Sequence, residues 1–401
     1  MAEFQASATL RDSLQGKVAA HNDPDYLLAQ NSYFSAQARS LFPGCIATPT
    51  TNTEVATIVK MLVEGGVKFA IRGGGHSLNA GAANIESGVT INLRALNKTL
   101  VSLEAAQNGA RFTLSYMCQE GLVCDNVENY EVVLADGSLV NANHFENRNL
   151  WQALKGGSNN YGIVTRFDIR TFPQENFLGG YIVHDISTLD SQLKGFTDLL
   201  ENFDPYAAMS ISWNQKRNGY SIFNNLEYTK NDTNPRALKP NQFATTTFGG
   251  SLEFLQNVHS IRRSSIHAIS SIVGVNWAMT IQPLPIAAMN QSEKVNSLGL
   301  SSSSGPLTLF LLSYNWENIE DDEEITLAAK KLISDIDEAA RERGVGSDFK
   351  YLNYAASWQN PLGGYGELEE TLKKLRDTGE IYDPGGVFQT LCEGGFKISK
   401  A

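Results

Sequence analysis

Apolar residues first recur at helical spacing where Val55, Ile58, Val59, Leu62 and Val63 share one face. Thr51 and Glu54 stand ahead of them at capping-box spacing, and Gly65-Gly66 supplies a stop. The pattern predicts an amphipathic helix that opens the folded part. A strand is expected next, Val67 to Ile71, running straight into three glycines, with a second strand at Val89 to Leu93. Strand, helix and strand in this order predict a mixed α/β class, α/β (α+β).

Further along, Val132-Val133-Leu134 and Leu139-Val140 flank Asp136-Gly137. Asp-Gly between apolar runs is a two-residue turn signal, so residues 130–142 are expected to form a hairpin. A short helix at Asn149 to Leu154 leads through Gly156-Gly157 to a strand, Gly162 to Thr171. From about residue 180 to 345, helices are expected at Leu189–Phe203, Leu252–Ser270 and Glu323–Arg343. Strands are expected at Met209–Trp213, Tyr220–Tyr228, Val275–Ile281 and Leu307–Tyr314. Ile325, Ala329, Leu332 and Ile336 share one helical face, and Gly344 closes it. This middle stretch reads as a second domain, a sheet backed by helices. Ser301–Ser304 reads as a loop, and no internal repeat is visible.

Composition narrows the function classes. The 401 residues suggest two or three structural units, and 42% hydrophobic with 19% charged residues is ordinary for a globular chain. A net charge of −11 without basic clusters argues against nucleic acid and anionic membranes as partners. Cys45, Cys118, Cys124 and Cys392 are too scattered for a disulfide framework, and the six-residue step from Cys118 to Cys124 does not fit a zinc half-site. They read as free, mostly buried thiols. No stretch reads as a signal peptide or a membrane span, so the chain is expected to be cytoplasmic. The N-x-[ST] sites at Asn97, Asn231 and Asn290 then read as chance matches.

The candidate chemistry sits in Arg72-Gly73-Gly74-Gly75-His76-Ser77. Glycines let the backbone approach a flat or anionic ligand closely, and successive N–H groups in such a turn form an anion nest, with Ser77 adding a hydroxyl. The run lacks the third glycine and the following helix of a Rossmann fingerprint, and the Gly-Lys-[Ser/Thr] ending of a Walker A loop. Taken alone, such a run is more often a flexible turn, and a lone histidine is usually a surface or satisfied core residue.

Company changes that reading. Phe69-Ala70-Ile71-Arg72-Gly73-Gly74-Gly75-His76-Ser77 resembles the FAD loop of the vanillyl-alcohol-oxidase superfamily, whose domain is of PCMH type. Its berberine-bridge-enzyme-like fungal branch is the most similar. Cys124 to Gly137 and Asn149 to Thr165 resemble the same family, as do Tyr351-Leu352-Asn353-Tyr354 and Tyr382-Asp383-Pro384, all in the family's order. The resemblance covers nearly the whole chain. It implies an FAD-binding domain made of residues 1–178 and 346–401, with a substrate domain of antiparallel sheet and helices at 179–345. It implies that Arg72, Gly73, Gly74, Gly75, His76 and Ser77 wrap FAD, with a covalent bond from His76 to the flavin ring. Gly156, Gly157, Gly162, Ile163 and Val164 match the second backbone stretch against the cofactor. Asn353 matches a position beside the isoalloxazine, and Tyr351 and Tyr354 match positions near the reacting carbon. For those tyrosines, packing on a strand is the competing structural reading.

One departure stands out. Family members carry a second glycine-rich loop, often with a flavin-linked cysteine, between the segments that resemble Gly109-Ala110-Arg111 and Leu114-Ser115-Tyr116. Here Arg111 runs on directly, and neither Cys118 nor Cys124 has the glycine context of that cysteine. The resemblance implies an FAD-linked oxidoreductase that oxidises a small-molecule C–H next to O or N, or closes a ring oxidatively, with molecular oxygen as acceptor. A catalytically impaired or non-redox family member, and an NAD-dependent enzyme, stay open as alternatives.

Overall fold

The computed structural model describes residues 2–100, 121–171, 178–202, 204, 207–216, 219–228, 242–292, 295–366 and 368–401. Cys118, Asn231 and the junction following Arg111 lie outside the described residues. The first sheet contains β1 (Val18–Ala20), β2 (Cys45–Ala47), β3 (Phe69–Arg72) and β4 (Val89–Asn92), in the order β1-β2-β4-β3. β4 runs parallel to both β2 and β3, as expected of strands joined by a crossover. That crossover is the helix Asn52–Glu64, whose Val55, Ile58, Val59 and Leu62 are buried against the sheet. Thr51 caps it, its hydroxyl accepting the Glu54 N–H at 3.2 Å. The helix does not open the fold: Ala2–Ser13 and Pro24–Gln30 are helical before it, and Leu10 and Leu14 enter the same core. Ala2–Ser13 carries few apolar residues, too weak a stripe to read.

The second sheet has three strands, β5 (Val127–Val133), β6 (Leu139–Asn143) and β7 (Ile163–Ile169), in the order β6-β5-β7. The hairpin is present, but its turn is longer than two residues. Val133 pairs with Leu139, the Leu134 N–H donates to Ser138 O, and Gly137 sits at φ +81°. A left-handed third residue is the signature of a three-residue loop, which Asp-Gly serves as well as it serves the shorter one.

The middle of the chain forms one antiparallel sheet of seven strands. They are β8 (Leu178–His184), β9 (Ala207–Lys216), β10 (Gly219–Tyr228), β11 (Gln242–Gly249), β12 (Asn276–Leu284), β13 (Leu307–Asn315) and β14 (Gly346–Ser347). Their order is β14-β11-β13-β12-β9-β10-β8. Strand alternation splits β13 cleanly. Phe310, Leu312 and Tyr314 enter a core with the helices Leu189–Glu201, Leu252–Ile269 and Asp322–Glu342. Leu307 and Leu309 point the other way and join a core with Tyr130, Trp151, Tyr161, Leu362 and Tyr365. This shared core seats the middle sheet on the flanking parts of the chain. In the tail, Leu368–Tyr382 is helical, and Leu352–Tyr354 is a 3-10 turn and not a strand.

Candidate functional site

β3 ends on Arg72, and the glycine run leaves the sheet there. Arg72 is fully buried, and its guanidinium faces back into the protein. It donates to Ala29 O at 2.8 Å, to Ser32 O at 3.0 Å and to Ser32 Oγ at 2.8 Å, and lies 3.8 Å from the centre of the Tyr33 ring. Burial pulls its pKa down, and Tyr33 opposes this. Arg94 reaches the same place, donating to Ser32 Oγ at 2.9 Å and Gly74 O at 3.2 Å. Phe34 completes the support: its N–H donates to Gly75 O at 3.0 Å and its ring stacks on His76 at 5.1 Å. The loop is thus anchored from behind by 29–34, while Gly73, Gly74 and His76 are exposed.

The glycines differ in what demands them. Gly75 has φ +75°, and a Cβ there would stand 2.9 Å from Arg72 Nε, a buried donor with no partner. Gly157 and Gly162 are demanded by packing, since added Cβ atoms would come within 2.4 Å of Ala153 O and 2.5 Å of Val132 Cγ1. Gly73 and Gly74 answer to neither constraint. Neither has a left-handed φ, Gly73 has nothing within 4 Å of its would-be Cβ, and Gly74 has only His76 Cδ2 at 3.4 Å. Bare backbone facing open space fits a ligand that approaches the main chain itself. The residues present therefore fit a nucleotide cofactor on this face.

The second stretch is held by the C-terminal tail. Asn159 Nδ2 donates to Gly394 O at 3.0 Å, and Asn160 Nδ2 to Gly157 O at 2.6 Å and Phe396 O at 2.9 Å. Lys397 donates to Asn159 O at 3.2 Å, and burial pushes its pKa down to about 8. The tail also reaches the first loop: a Cβ on Gly394 would stand 1.7 Å from Gly81 O. Residues 392–397 therefore tie the His76 loop to the Gly156–Asn160 turn. Lys155, just before the turn, is buried over the Trp151 ring at 3.5 Å, and burial pushes its pKa down to about 8. Tyr365 OH donates to Gly156 O at 3.2 Å. Ile163 is buried and Val164 half-buried at the start of β7.

The third group lies in the 3-10 turn. Tyr351 and Tyr354 meet edge to face at 4.9 Å. Asn353 Nδ2 donates to Tyr351 OH at 3.0 Å, and Tyr354 OH donates to Gln282 Oε1 of β12 at 3.0 Å. Asn159 and Asn160 lie within the Asn149–Thr165 motif without having been singled out, and Ser32, Tyr33, Phe34, Arg94 and Gly394 carried no motif. Their only signals in sequence are the unpatterned aromatics of 31–34 and the glycine pair Gly394-Gly395.

Comparisons with known proteins fit this geometry. Residues 43–115 match the FAD binding domain family. The FAD-dependent monooxygenase drtC of Aspergillus calidoustus is 31% identical, covering 99% of this chain and 90% of its own length. The FAD-dependent monooxygenase sdcF of Emericella nidulans is also 31% identical, covering 98% of each chain. In fold the chain is similar to glucooligosaccharide oxidase from Acremonium strictum, with a TM-score of 0.76, 16% identity and coverage of 95% and 97%. It is similar also to a berberine bridge enzyme variant, with a TM-score of 0.72, 14% identity and coverage of 96% and 98%. The chain belongs to the family of these fungal FAD-dependent monooxygenases, which are FAD-linked oxidoreductases, and FAD is its cofactor. Its fold is that of the PCMH-type enzymes. The alignment with drtC runs over 478 positions against 401 residues here, so at least 77 of its positions have no counterpart in this chain. Among the described residues no helix is long and apolar enough to cross a membrane.

Proposed function

We propose that the face formed by Gly73 and Gly74 receives the FAD pyrophosphate, and that His76 is bonded covalently to the flavin ring. Two glycines that neither backbone nor packing requires carry this reading. Arg72 braces the segment Ala29–Ser32 behind the loop, and Phe34 stacks on the His76 imidazole. Ser77 adds a hydroxyl to the same turn. Gly156, Gly157, Gly162, Ile163 and Val164 form the opposite wall, and Asn353 lies beside the ring. Residues 1–178 and 346–401 make the FAD-binding part, and 179–345 the substrate part. Absence of the second glycine loop leaves His76 as the sole attachment, whereas the Acremonium oxidase has both cysteinyl and histidyl links.

Bound FAD supplies the hydride acceptor, and the protein supplies orientation and proton transfer. Tyr354 spends its O–H on Gln282, whereas the Tyr351 oxygen accepts from Asn353. A donor aimed at the phenol oxygen stabilises the phenolate, so Tyr351 is the better base of the pair. The substrate is a small organic molecule with a C–H next to O or N. Molecular oxygen takes the electrons, which the oxidase and monooxygenase names of the relatives support. The test is intact-mass measurement of purified protein beside His76→Ala. A mass excess equal to FAD in the first and not in the second is expected. Equal masses without flavin in both would overturn the attachment.

A further inference from the structure

A cavity of about 540 Å³ opens between the segment 33–40 and the end of β13. Apart from Phe34, which stacks on His76, none of the residues assigned above to flavin or to proton transfer lines it. Its lining includes the aromatic residues Tyr33, Phe34, Tyr314 and Trp316 and the acids Glu317 and Asp322. The Tyr314 and Trp316 rings are nearly parallel, 14° apart with centres separated by 5.9 Å. The Trp316 indole N–H donates to Asp322 Oδ1 at 2.8 Å, which fixes both the ring and the carboxylate. Residues 315–324 contain six acids (Glu317, Glu320, Asp321, Asp322, Glu323 and Glu324) and no base. Among the described residues, Arg39 is the one basic residue on the lining.

We propose that this cavity is a second ligand site, for a flat aromatic cation. The volume lies within the range of about 300–1,000 Å³ in which small organic molecules are enclosed. Aromatic walls suit a flat ring, and a positive charge gains both from the Trp316 face and from the acids. Phe34 stacks on His76, and Leu78 shares the lining, so a ligand held there lies one ring away from the flavin loop. The site thus admits an amine-bearing aromatic substrate of the proposed oxidation from the β13 side. That role rests on the proposed function, whereas binding itself does not.

The experiment titrates the holoprotein with 1-naphthylmethylammonium and, separately, with 1-naphthylacetate, by calorimetry. The probes share a ring system and differ in charge. One saturable site is expected for the cation, with the anion at least ten-fold weaker. Trp316→Leu should weaken the cation at least ten-fold, and Gln37→Arg, which adds a positive charge to the lining, should do so by a similar factor. Flavin absorbance and melting temperature are recorded for each variant. Equal affinity for both probes, or cation binding unchanged in two folded variants, overturns the proposal. Cation binding that persists in protein prepared without flavin supports the site while separating it from the FAD reading.

Discussion

Arg72→Met probes whether the flavin loop is held from beneath. The replacement keeps most of the length and removes the charge. Ala29 O keeps other donors, among them the Ser32 hydroxyl at 2.8 Å. Ser32 O loses the Arg72 donor, and the cation over the Tyr33 ring is gone. An unsatisfied buried carbonyl costs about 1–3 kcal/mol, and a desolvated cation–π contact is worth about 2 kcal/mol. Relief from burying a bare guanidinium offsets part of this, so a net loss of about 2–4 kcal/mol is expected. Arg72→Lys keeps charge but not the fork, and should fall between the variant and the parent. Urea unfolding of the flavin-free proteins, followed by tryptophan fluorescence, reads the loss, and FAD titration reads the loop. Because Phe34 and Arg94 join the loop to the segment that Arg72 braces, flavin affinity should fall along with stability. A methionine variant that matches the parent in both midpoint and flavin uptake would refute the anchoring argument.

Two further outcomes follow from the packing. Gly394→Ala drives a methyl into Gly81 O and should cost about 1–3 kcal/mol, with flavin lost faster on gel filtration; unchanged retention would show that the tail does not brace the loop. Burial pushes the His259 pKa down to about 4 from an ordinary 6.5, with Arg262 adding to the effect. Its folded value lies below its unfolded one. The stability it contributes is therefore full above pH 6.5 and drains away as pH falls from 6.5 towards 4. His259→Gln should flatten the loss of melting temperature over that interval, and a parallel acid profile in both proteins would count against this.

Sequence showed the elements whose patterns are local. The helix Asn52–Glu64 has its cap and apolar face within thirteen residues, and β9, β10, β12 and β13 of the middle sheet match expected strands, whereas β8, β11 and β14 were not expected. What escaped depends on partners far along the chain. The helix Leu368–Tyr382 was not expected, because its stripe is thin and charged residues fill nearly half of it. Tyr351 and Tyr354 carry aromatic strand composition, yet the turn they form is fixed by bonds to Gln282 and Asn353. At the flavin loop, the glycines and His76 were legible as a motif. Their support from Ser32, Phe34 and Arg94 was not, because those residues lie up to 62 positions apart and meet the loop only in the folded chain. The motif also concealed a difference among its own glycines, since Gly157 and Gly162 answer to neighbours inside the protein and only Gly73 and Gly74 to open space.

The core that β13 shares with Tyr130, Trp151, Tyr161 and Tyr365 has a consequence for engineering. Leu284, Ala288, Met289, Leu298, Leu300, Leu307 and Leu309 all supply it from the middle stretch. Residues 179–345 are consequently no detachable cassette. Transplanting them from a relative to change what the enzyme accepts would open a void beneath the cofactor turn, unless the matching side chains came with them.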